Sequence, residues 1–179
     1  QRETHQAIVA QADEERIEDL QGALGHLAAA LAAGSSARRP RMVRHAADSL
    51  EVLLDEPDAV APPGWASSED GEVWTLAEAP DPDDLYDGPL SPAPLMVTIG
   101  QPEDDAQLYL DLEADGLTAL TGDPSVAMDL ARSILTELTL SPLAETLRVI
   151  GVGAVVDEDA DALEHLTIVD SWDGIAEDI

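Results

Sequence analysis

Thirty excess negative charges on 179 residues constrain this chain more than any other feature: 38 acids face only eight bases. A fold that gathers so many carboxylates must hold its core together against their mutual repulsion. The apolar share, 45%, is large enough to do so, but the core has to be aliphatic, because there is no Phe and only three Trp and two Tyr. The same field repels phosphate backbones and anionic headgroups, so direct contact with nucleic acid or lipid is not expected of this segment. A second consequence is a solvating shell that keeps the chain soluble. All eight bases are Arg, a composition that fits a high-GC or a salt-adapted genome. With no Cys, disulfides, thiol nucleophiles and thiolate metal sites are excluded. No apolar run reaches the length of about 18 residues that a membrane span needs, and the first residues do not read as a signal peptide. The chain opens on Gln1 and closes in what reads as the first turn of a helix, so an internal piece of a longer protein is expected.

The apolar pattern divides the chain into residues 1–34, a helix that serves as stalk or linker, and residues 35–179, an α/β domain. In the first part Ile8, Ile17, Leu20, Leu24, Leu27 and Leu31 form one stripe over 3–33, stopped by Gly34-Ser35-Ser36. Its Ala- and Leu-rich later half is expected to dock on the domain. Met42–Ala46 and Leu50–Leu54 read as a hairpin around Asp48-Ser49, and Glu72–Leu76 as a third strand with Val73 and Trp74 on opposite faces. Trp65, after Pro62-Pro63-Gly64, is expected at the edge or in the core of this sheet rather than as a stacking platform for a ligand. Residues 79–94, with five prolines among acids, are a surface loop. Beyond it, Leu95–Gly100 and Gln107–Leu112 read as strands joined by a polar turn at Pro102–Asp105. Gly116–Leu120 reads as a short buried strand, with Leu117–Leu120 its body. A helix over 125–140 follows, with Asp123 its N-cap and Pro124 its first residue. Leu147–Val152 reads as a parallel strand buried on both faces, His165–Val169 as a last strand, and Trp172 as the lead of a final helix. The strand Leu117–Leu120 is expected beside Leu147–Val152, parallel, through a right-handed crossover.

Four of the eight bases, Arg38, Arg39, Arg41 and Arg44, lie within seven residues. They are either a contact for a partner or internal compensation of the acids, the second reading being the more ordinary one. The histidines His5, His26, His45 and His165 have no metal-ligand spacing. The run from Asp157 to Asp161 starts like a calcium loop, but Ala162 stands where Gly is needed and Ile168 where the closing Glu belongs. With 38 acids, carboxylate pairs nominate no catalytic site.

The order at residues 95–125, a hairpin ending in Leu110-Asp111-Leu112, then a short strand, a Gly-bearing turn and a helix, resembles the core of FtsK/HerA-type DNA-pumping ATPases. The resemblance implies a degenerate P-loop NTPase-like mixed sheet with an N-terminal long helix and hairpin extension. It also implies loss of activity. Where that family has a Gly-rich loop ending in Gly-Lys-Ser or Gly-Lys-Thr, this chain has the vestigial loop Gly122, Asp123, Pro124, Ser125, and it has no Lys at all. The segment ending in Gly151-Val152-Gly153 lacks the metal-anchoring acid of the second motif. Tight binding or hydrolysis of ATP is therefore not expected. A second resemblance covers most of the chain. The stretches 50–57, Trp74-Thr75-Leu76, Leu110–Ala114, Leu120–Pro124 and Leu147–Gly153 are similar to the cytoplasmic middle region of large actinobacterial membrane proteins. Those proteins carry LysM and bacterial transcriptional-activator domains elsewhere. The implied setting is cytoplasmic, within a membrane-anchored protein. The expected role is a non-catalytic interaction or scaffolding module with no cofactor and no metal, working through protein partners or self-assembly. A degenerate nucleotide sensor and a transcription-linked regulatory module are the alternatives.

Overall fold

The structure is a computed structural model that describes residues 19–34, 38–77, 93, 95–102, 104–114, 116–140, 147–152, 166–169 and 171. Helix α1 covers residues 19–33. The strands are β1 Pro40–His45, β2 Leu50–Leu54, β3 Trp65–Ser67, β4 Val73–Leu76, β5 Met96–Gly100 and β6 Gln107–Asp111. Helix α2, Pro124–Leu140, and strands β7 Val149–Val152 and β8 Leu166–Val169 complete the order. The first six strands form one antiparallel sheet in the order β3-β4-β2-β1-β6-β5, and β7 and β8 form a separate pair. Contacts group the chain into two units, one of residues 1–96 and 100–115, the other of 97–99 and 116–179.

In the first unit the α1 stripe is buried as its spacing predicts. Leu20, Leu24 and Leu27 are buried, with Ala23 and Ala28 filling the gaps between them, and Leu31 packs at the margin. Ile8 and Ile17 lie outside the described residues. The helix ends where Gly34 N–H reaches the Ala30 carbonyl at 3.1 Å. The leucines join Val43, Leu50, Val52, Leu54, Trp65, Trp74 and Tyr109 in one core. The strands supply these residues by alternation: β2 buries Leu50, Val52 and Leu54 and turns Glu51 and Leu53 partly outward. Removing one such side chain, Leu27 for instance, is a large-to-small change of about 2–5 kcal/mol.

The β1–β2 hairpin forms as expected, with Arg44 opposite Glu51 and His45 opposite Leu50. Its register shifts between Pro40 and Met42. Strand β3 is new: Trp65, at the sheet edge and buried, begins the edge strand, paired with Leu76. The connection 55–64 is tied down through Asp58. Its carbonyl accepts from Trp74 Nε1 and Ser67 Oγ, both at 3.0 Å, and its carboxylate accepts from Val60 N–H at 2.9 Å. Gly71 is required here, because φ is +77° and a Cβ would meet the Asp58 carbonyl carbon at 2.9 Å.

The second unit corrects the expected parallel core. Residues 117–120 form no strand; Leu117 is 86% exposed and Leu120 39%. They run between Gly116 and Gly122, both at positive φ. The parallel partner of β7 is β8, in the register Val149–Leu166 to Val152–Val169. The physical reason lies in composition. Leu-Thr-Ala-Leu carries one β-branched residue, whereas Thr167-Ile168-Val169 is β-branched throughout and suits the pleat better. The fold is thus mixed α/β, as expected, but the extended segment that should precede a phosphate loop is not a strand, and the crossover proposed for it falls away. Of the loop 79–94 only Ala93 is described, and it is buried rather than on the surface; the rest of that loop, the helix led by Trp172 and the Asp157–Asp161 run lie outside the described residues. Among the described residues no helix is long and apolar enough to cross a membrane.

Candidate functional site at the start of helix α2

The turn that the sequence singles out for phosphate is the turn that opens α2, and its donors are already occupied. Pro124 has no N–H to offer. Asp123 Oδ1 accepts from Ser125 N–H at 2.8 Å and from Val126 N–H at 3.4 Å, and Ser125 Oγ donates to it at 2.6 Å. Ala127 N–H takes the first helical bond, 2.9 Å to the Asp123 carbonyl. A helix N-terminus attracts anions because its first N–H groups lack partners. Here the chain's own carboxylate takes that place. The hydroxyl of Ser125 and the two amides hold Asp123 below the usual carboxylate range, so it stays ionised at neutral pH. Gly122, at φ +123°, lets the chain enter the cap, and Gly122, Asp123, Pro124 and Ser125 together make a capped turn.

Beside this cap is a hollow of about 290 Å³, lined by Ala119, Leu120, Thr121, Asp123, Val126, Ala127 and Leu130. Its wall is mixed, polar as well as apolar, and open to solvent: Val126 is 65% exposed. A larger hollow of about 400 Å³ lies in the first unit along α1, between His26, Ala29, Ala30, Ala33, Gly34 and Pro63. It has one polar side chain, and the His26 ring sits where a Cβ on Gly64 would meet it at 2.7 Å, so it gathers no converging set of polar groups.

The arginine cluster is dispersed over separate acids of the first unit. Arg38 pairs with Glu56 and lies 3.7 Å from Asp58. Arg44 bridges Glu51, at 3.1 Å, and Asp104. Arg39 contributes its backbone, its N–H donating to Asp55 Oδ1 at 3.1 Å while its carbonyl accepts from Asp55 N–H at 3.0 Å. The Arg41 side chain is exposed and also engaged.

Two polar sites escaped the sequence reading. Asp111, at the end of β6, is 2% exposed and accepts from Glu113 N–H at 3.0 Å. Its signal was available, since Asp111 stands two residues after Tyr109, on the inward face of an alternating strand. The other is a clamp in the second unit: Glu137 of α2 accepts from Thr98 N–H at 2.9 Å and from Thr98 Oγ1 at 3.0 Å. Nothing in the sequence announces it. Among the described residues, no group of three or more His, Cys, Asp or Glu is placed to hold a metal ion. No protein-family model, curated protein or solved structure matches this chain.

Proposed function

We propose that this chain is a non-catalytic interaction or scaffolding module, a cytoplasmic part of a larger membrane-anchored protein, acting through protein partners or self-assembly. The observation that carries the reading is the self-capped start of α2. A triphosphate needs free amides and positive potential; here Asp123 takes both amides and adds a negative charge. The membrane-anchored setting rests on the resemblance to actinobacterial proteins and on nothing geometric.

Isothermal titration with ATP, GTP and their magnesium complexes tests the reading. The expected result is no binding tighter than about 1 mM. Micromolar binding overturns it and makes the turn a nucleotide sensor. Cross-linking of the full-length protein in its own cells is expected to join this chain to another protein or to a second copy.

A further inference from the structure

We draw no further inference here: the strongest candidate, the hollow of about 400 Å³ along α1 between His26, Ala29, Ala30, Ala33, Gly34 and Pro63, is a stripe of small residues beside one histidine, and nothing in the structure shows what covers it.

Discussion

Asp111 closes β6 with its side chain buried, while Asp123 caps α2 in the open, and their surroundings move their acidities in opposite directions. Burial pushes the Asp111 carboxyl up, and the charge of Glu113 adds to the rise. The Glu113 and Leu95 amides and the Arg39 charge oppose it. A group raised in the folded state contributes stability below its unfolded pKa and loses it as pH climbs through the folded value. Asp111→Asn should therefore compare better with the unaltered protein at about pH 7 than at about pH 4, near the ordinary carboxylate range. For Asp123, held down first by the Ser125 hydroxyl and then by the amides of Ser125 and Val126, the sign reverses. Its contribution is present above the unfolded value and is lost as pH falls through the folded one. Asp123→Asn should accordingly be costlier at neutral pH than in acid. Melting temperatures of both variants across that range decide the matter. Parallel shifts at all pH values would contradict both assignments.

Elements were legible where their signal is local. The leucine stripe of α1, the alternation of β2 and the Asp123-Pro124 start of α2 follow from side chains within one or two turns of each other. The misreading at Leu117–Leu120 shows the limit of that approach. A short apolar run looks the same whether it is a buried strand or an exposed connection, and neighbours outside the run decide which. Strand β5 comes last in the sheet order, where backbone donors lack a strand partner. At Thr98 the Glu137 carboxylate takes that role. Replacing Glu137 with Ala removes a bond to a charged acceptor, the class worth about 1.5–3 kcal/mol. Amide hydrogen exchange at Thr98 should rise about tenfold or more, with Glu137→Gln intermediate because its amide oxygen still accepts. Unchanged exchange would mean that the clamp does not form in solution.

At the scale of the whole molecule the charge of −30 sets the response to salt. Screening relieves repulsion among the carboxylates, so added salt should raise the melting temperature. Arg38 and Arg44 relieve the same repulsion from within, each lying between two acids. The double change Arg38→Gln/Arg44→Gln is expected to lower the melting temperature at low ionic strength and much less at about 1 M salt, where the Debye length is roughly 3 Å. Identical melting curves for variant and parent at both salts would show that the pairs contribute nothing to stability, as many exposed pairs do.

The amino-acid order by itself determined what depends on near neighbours: an aliphatic core, the helix with its leucine face, the first hairpin and the cap of α2. Periodicity and capping act over a few residues, so they are written along the chain. Tertiary structure alone decided who pairs with whom. It set β2 beside β4 and β1 beside β6, gave β7 its partner in β8, and brought Thr98 to Glu137 across 39 positions. It also buried Asp111 and left Leu117 in water. Strands of similar composition compete for the same edges, and the outcome rests on loop closure and on the total area buried, quantities that belong to the folded whole.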